Sequence, residues 1–238
     1  QGFGCNVVAT FQSRGCSACT RRACVSLIAF GSACSYQIGA TLSVFGAAGR
    51  LWLFAPYLFL LFAVGAVHTR LWHGALRADA AAPLSGQAYL QWPSWRGVAW
   101  RLRAVLAQFL KQAMPVFLLI CLFASLLEGM GAIQALSSWM AAPMAALGLP
   151  AQAAGGVVFS LLRKDGLLAL NQGQGALLAQ LTAAQTFVLV WLASTCSACL
   201  VTLWIVGREL GARHAWGLAG RQAATSLVSA WLLAQVLI

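Results

Sequence analysis

The chain has 238 residues, of which 61% are hydrophobic and only 8% charged, with a net charge of +11 and a mean hydropathy of +0.81. A soluble domain carries roughly 25% charged residues, so a water-soluble globular fold is excluded and the lipid bilayer is the expected partner. The basic residues fall in short clusters between apolar runs, as cytoplasmic membrane loops require, and form no stripe for nucleic acid.

The opening Gln1-Gly2-Phe3-Gly4 has neither a basic start nor a small-residue cleavage site, so no signal peptide is read there and further polypeptide upstream is expected. Residues 23–49 form a first apolar stretch, interrupted by Gly31, Gly39 and Gly46. A cleaner span covers 51–69, with Trp52 and Tyr57 near one end and Trp72 just past the other. Such aromatics suit the headgroup belts of a bilayer. A polar interval at about 73–97 holds His73, Arg77, Asp79 and the helix breakers Pro83, Gly86 and Pro93. Val98 to Gln112 then sets Arg101, Arg103 and Lys111 among Trp100, Leu102, Val105, Leu106, Phe109 and Leu110. That pattern predicts an amphipathic helix lying on a membrane surface. Residues 113–127 re-enter the apolar phase, Glu128-Gly129-Met130-Gly131 ends that helix, and a short segment around Trp139 to Leu149 follows. Residues 150–170 are apolar except for Arg163-Lys164-Asp165; 181–207 and 222–238 complete the set.

The fold class expected is an all-α polytopic membrane protein, with about five spanning helices of ~20 residues each, re-entrant or broken segments, and one surface helix. Three regions follow: 1–72, a connector at 73–112, and 113–238. Charge parity sharpens the topology. The intervals 70–111 and 207–221 are both rich in Arg and Lys, so both belong on the cytoplasmic side. An even number of crossings separates them, and 113–127 and 181–207 already supply two. Residues 150–170 are therefore expected to re-enter or break rather than cross. Irregular backbone at that depth is tolerated only where protein or a water-filled cavity covers it, which marks 150–170 as a pathway candidate.

Ionisable groups at membrane depth cost at least ~2.5–3.5 kcal/mol each and pair with one another. On that ground Arg163, Lys164 and Asp165 are the most informative charges, unless they form a surface loop. Of eight cysteines, Cys-Ser-Ala-Cys occurs at 16–19 and 196–199, and Ser-Ala-Cys recurs at 32–34. Thiolates suit soft or borderline cations such as Fe(II), Cu(I) and Zn(II), whereas a neutral thiol packs as a small hydrophobe. For Cys196 and Cys199 both readings stand. Cys16, Cys19 and Cys24 lie among Arg14, Arg21 and Arg22, and adjacent cations favour thiol reactivity. Cys121 reads as packing, and Gly155-Gly156 as a site of close helix approach. His68, His73 and His214 fall at span ends or in loops and read as solvated. No Ser-His-Asp set, P-loop or dinucleotide fingerprint appears, so no catalytic residue is assigned and no enzyme is expected.

These motifs together resemble the ferrous iron transport protein B (FeoB) family. Gly2-Phe3-Gly4-Cys5-Asn6-Val7 is similar to that family's G-F-G-C-N-V-P-A-I, and Cys34-Ser35 to the Cys-Ser of its P-F-x-S-C-S-A-R-L-P element. Leu162-Arg163-Lys164-Asp165 is similar to its L-R-K-D, Ala198-Cys199-Leu200-Val201-Thr202 to its P-C-I-A-T, and Arg208-Glu209-Leu210-Gly211 to its R-E-L-G. Val8 and Ala198 stand where the family has prolines, and Gln37 and Gly39 where it has a basic residue and proline, which implies softer helix breaks here. The resemblance implies two gate repeats meeting near the midplane, passage of Fe(II) as substrate across the bacterial inner membrane, and no bound organic cofactor. It implies Cys5, Cys34 and Cys199 as soft ligands and Asn6, Asp165 and Thr202 as oxygen ligands, with Arg163 and Lys164 setting the field and Cys196 along the path. It also implies a GTP-binding domain in cis and small cytoplasmic accessory proteins, and a homo-oligomer is compatible with it. The other readings are a redox- or metal-sensing membrane protein built on the Cys-Ser-Ala-Cys pairs, and a gate-module transporter of a small organic solute such as a nucleoside.

Overall fold

In the computed structural model, residues 5–16, 18–31, 34–74, 92, 94–162, 164–171 and 176–238 are described. Among them the structure is helical and contains no strand. The helices in chain order are α1 (Asn6–Gln12), α2 (Ala18–Gly31), α3 (Ser35–Ala47), α4 (Phe54–His73), α5 (Trp95–Gln108), α6 (Met114–Gly129), α7 (Ala132–Ala146), α8 (Ala154–Leu162), α9 (Ala176–Gln180), α10 (Ala183–Thr195), α11 (Leu200–Leu210) and α12 (Ala212–Leu237). Four runs are long and apolar enough to cross a membrane: Thr20–Ala47, Leu51–His73, Trp95–Gly129 and Ala183–Leu210. The chain is an integral membrane protein with an all-α polytopic fold. The fifth expected span, 222–238, is the outer part of α12, a 26-residue helix that carries Arg221, Gln222, Thr225, Ser226 and Ser229 and is therefore less apolar than the four.

Two of the four runs are interrupted midway. After α2 the chain restarts at Cys34, whose extended backbone (φ −68°, ψ 156°) begins α3. After α10 it restarts at Cys199, again extended (φ −61°, ψ 150°), to begin α11. Each restart follows a Ser-Ala-Cys tripeptide, and the second break persists with Ala198 where the resembling family has proline. The two interrupted helices run antiparallel. At one end of the bundle Arg21, near the start of α2, meets Glu209, near the end of α11. At the other end Arg50, just after α3, donates to the Thr186 hydroxyl and the Leu181 carbonyl at the start of α10, both at 2.7 Å.

Residues 150–170 fold back on themselves rather than forming one straight helix. Helix α8 runs inward from the Arg50 end, and a 3₁₀ segment, Lys164–Asn171, folds back along it. Two glycines permit that return. A Cβ at Gly166 would fall 2.4 Å from the Phe159 carbonyl carbon and 2.6 Å from the Ser160 nitrogen, and one at Gly156 would fall 2.2 Å from Leu170 Cδ2. The re-entrant pair packs against α3, while α1 packs against α11, so each half of the chain covers the second half-helix of the other.

The core centres on α10, buried from Thr186 to Thr195, with Trp191, Tyr57, Phe45, Leu61 and Met144 fully enclosed around it. Tyr57 meets Phe45 and Trp191 edge to face, at 6.0 and 6.1 Å between centroids. The other nine tryptophans are exposed, as interfacial belts require. The surface helix expected over Val98 to Gln112 is not a separate element: α5, exposed on nearly every side, continues through a π-helical turn, Phe109–Ala113, into α6 as one apolar run, Trp95–Gly129.

Gly166→Ala should lower the thermal stability of the detergent-solubilised chain by about 1–3 kcal/mol, the usual cost of forcing a methyl into packed atoms. Gly155→Ala, whose Cβ meets only Ser137 Oγ at 3.8 Å, should be neutral; equal losses would show that the hairpin does not depend on the contact at Gly166.

Candidate transport site

An interruption inside an apolar bundle strands the last carbonyls of one half-helix and the first amides of the next. At the α10–α11 break three carbonyls of the last turn have partners, while Cys199 makes no side-chain cap bond to the first amides of α11. The Cys196 N–H donates to Leu192 O at 3.0 Å. The Ser160 hydroxyl, from α8, reaches Ala193 O at 2.8 Å. The Gln222 amide donates to Thr195 O at 3.1 Å. At the α2–α3 break the Gln37 N–H donates to Cys34 Sγ at 3.4 Å, so the thiol acts as helix cap. Gln37 Nε2 in turn donates to the Tyr57 hydroxyl at 2.9 Å, which also has Ser194 as a partner. A buried polar chain thus runs from Cys34 to the end of α10.

The candidate residues divide among these elements. Cys5 stands at the N-cap of α1, and Asn6 is its first residue, 6% exposed, with its side-chain oxygen buried and without a partner among the described residues. Cys199 stands at the N-cap of α11 and its sulfur lies 3.0 Å from the hydroxyl of Thr202, itself buried one turn later. Cys5 and Cys199 pack on one cluster of Val7, Phe11, Val201 and Ile205, so α1 and α11 bring two thiols and two polar oxygens to one region. Cys34 heads α3 on the other broken helix, and Cys196 is buried in the main core around Trp191 and Tyr57. Arg163 lies outside the described residues, as do the side chains of Lys164 and Asp165; the backbone of the latter two begins the returning segment. The described residues contain no group of three or more His, Cys, Asp or Glu side chains able to hold a metal ion.

Several polar positions lie beyond what the sequence signalled. His68 does not sit solvated at a span end: it is fully buried, stacked on Phe30 at 4.7 Å, with Nδ1 2.8 Å from Thr225 Oγ1. The Thr225 hydroxyl proton goes to Arg221 O at 2.9 Å, so Nδ1 must donate, which leaves Nε2 as the unprotonated nitrogen. Glu209 accepts from Arg14 Nε at 2.9 Å and from Arg14 Nη2, and from Arg21 Nη2 at 2.8 Å. The bidentate pair with Arg14, of the stronger kind among ion pairs, ties the turn before α2 to α11, and the single bond from Arg21 ties α2 itself to α11; the Glu209 hydrogen bond holds the Arg14 guanidinium above its ordinary pKa against the opposing effect of burial. The two partners are 195 and 188 residues from Glu209, so no local pattern announces them.

Among known families, the model described as Gate, nucleoside recognition, matches residues 110–213. The match begins at the π-helical turn and ends just after α11, covering the re-entrant pair and the second broken helix. No curated protein and no solved structure matches the chain. A Gate domain within an apolar helical bundle identifies a membrane transporter.

Arg14 is 52% exposed and Arg21 only 19%, and exposed ion pairs are weakened by solvent. Thermal unfolding in detergent should therefore show a larger loss for Arg21→Gln than for Arg14→Gln, with Glu209→Gln the largest, at about 1 kcal/mol. The reverse order would mean that the pair with Arg14 carries the junction.

Proposed function

We propose that the chain is the permease of a ferrous iron transporter of the bacterial inner membrane, with Fe(II) as its cargo. The observation that carries this reading is the thiol at the restart of each interrupted helix: Cys34 at α3 and Cys199 at α11, with Cys5 beside Cys199. Borderline cations such as Fe(II) accept thiolate and imidazole ligands where Mg and Ca do not. The Asn6 and Thr202 oxygens add harder donors to the same region, and the unpartnered Asn6 oxygen is a buried acceptor awaiting a positive group. In this reading Asp165 contributes a carboxylate at the tip of the re-entrant pair, Arg163 and Lys164 set the field there, and Cys196 lies along the path. A GTP-binding domain in cis and small cytoplasmic accessory proteins would supply coupling, so the chain itself performs no catalysis.

A nucleoside is the second reading, favoured by the description of the matched family model. The two make opposite demands on the thiols. In vesicles containing the chain, Fe(II) uptake under reducing conditions should exceed nucleoside uptake. Cys34→Ser and Cys199→Ser should each lower it by roughly tenfold or more, the scale on which disturbed metal shells lose affinity. Asn6→Leu should lower uptake while leaving thermal stability unchanged or raised, because it deletes an unpartnered buried acceptor. Nucleoside uptake that is indifferent to both cysteine substitutions would transfer the assignment to nucleosides.

A further inference from the structure

Helix α12 lies outside the Gate match except for its first two residues, yet one of its residues beyond the match touches both interrupted helices. Gln222 is 1% exposed, and its amide nitrogen donates to Thr195 O at 3.1 Å and to Ala29 O at 3.3 Å. Thr195 is the last residue of α10, and Ala29 lies in the last turn of α2. Those carbonyls therefore belong to the two half-helix C-termini that precede the two cysteine restarts. Helix C-termini carry partial negative charge, and here two of them converge on one donor group. The amide has two hydrogens and meets two acceptors, while its oxygen, buried, has no partner among the described residues. Filling space alone would favour an apolar side chain over a buried unpartnered oxygen, so the donor is the reason for the amide. One turn on, Ser226 Oγ lies 2.6 Å from Thr195 Oγ1, and Ala29, Ala198 and Leu218 close the same junction in one apolar cluster.

We propose that Gln222 is a positioning residue that pins the two helix breaks to each other, so that the Cys34 and Cys199 restarts open or close together. Its consequence for cargo movement rests on the transport reading; the pinning itself does not. Neither hydrogen bond reaches a cargo-facing side chain, so Gln222 acts through the backbone of both interrupted helices.

The test uses the whole chain in membranes, with the labelling rates of Cys34 and Cys199 by a membrane-permeant maleimide read by peptide mass spectrometry. Gln222→Met keeps the length and removes the donors. It should raise both rates by roughly threefold or more, as local opening of the breaks becomes easier. Gln222→Lys restores donors at a place where helix dipoles favour a cation, and should bring both rates back to within about twofold of the original. A change at one cysteine alone, no change at either, or a Lys variant no better than the Met variant overturns the proposal. If the Met variant fails to accumulate, accumulation is scored in the same order: recovery by Lys upholds the pin and loss of both variants refutes it. No cargo is needed for either readout, so absence of iron uptake would count against the transport reading and leave this result standing.

Discussion

Backbone polar groups that lose their helical partner inside an apolar phase must find another, because no water is there to serve them. That constraint organises this molecule more than any single apolar contact. Its two long interrupted helices each strand carbonyls at mid-length, and the bundle around them is arranged to answer. The end of α10 is served from three directions: its own cap at Cys196, Ser160 on the re-entrant pair and Gln222 on α12. Burial of α10 along its whole second half follows from that convergence. A helix whose terminal carbonyls are addressed by neighbours on several sides has no face left for lipid.

Charge is handled differently at the two ends. The Arg21 end gathers cations and offsets part of them with the shared carboxylate of Glu209, which is also the contact between the start of one broken helix and the finish of the other. At the opposite end Arg50 has no carboxylate partner among the described residues; its guanidinium is satisfied by a hydroxyl and a backbone carbonyl. Neutral acceptors suffice for a single cation near a membrane boundary, and they fix the turn after α3 against the start of α10. The two junctions are thus equivalent in position and unlike in chemistry. Both are made by side chains that sit at the ends of spans, where the cost of a charge is lowest.

Much of this was legible in the residues. Apolar runs free of charge define the class, and the parity of basic loops foretells that 150–170 turns back. Gly156 is identified as a close-approach position, which its contact with Leu170 bears out. The repeated Ser-Ala-Cys draws attention to the very residues where helices restart. What the residues do not disclose is pairing across long separations. Gln222 sits in a stretch that reads as ordinary helix, and its meaning depends on Ala29 and Thr195, 193 and 27 residues away. His68 fails for a related reason. Its position near the end of an apolar run suggests solvent, but the partner that hides it, Phe30, comes from a different element and cannot be inferred from hydropathy.

The two halves of the chain are related in path and unequal in chemistry, and the inequality has a direction. Helix α1, headed by Cys5 and Asn6, packs on α11, headed by Cys199. The returning segment that begins with Lys164 packs on α3, headed by Cys34. One pairing therefore brings together two helices each headed by a cysteine, with Asn6 and Thr202 in their first turns, whereas the other joins a thiol-capped helix to a segment that opens with charged residues. The first pairing offers soft, neutral groups and the second a segment whose sequence opens with charge, so the two differ in chemistry though they are alike in path. Cys34 already accepts the Gln37 amide hydrogen, and among the described residues the Cys199 sulfur has its hydrogen-bond contact with the Thr202 hydroxyl. A hydroxyl proton rotates away at little cost, while a backbone amide cannot leave without unwinding the first turn of its helix. The Cys199 sulfur can therefore turn without disturbing the fold, whereas the Cys34 sulfur turns only if the start of α3 moves.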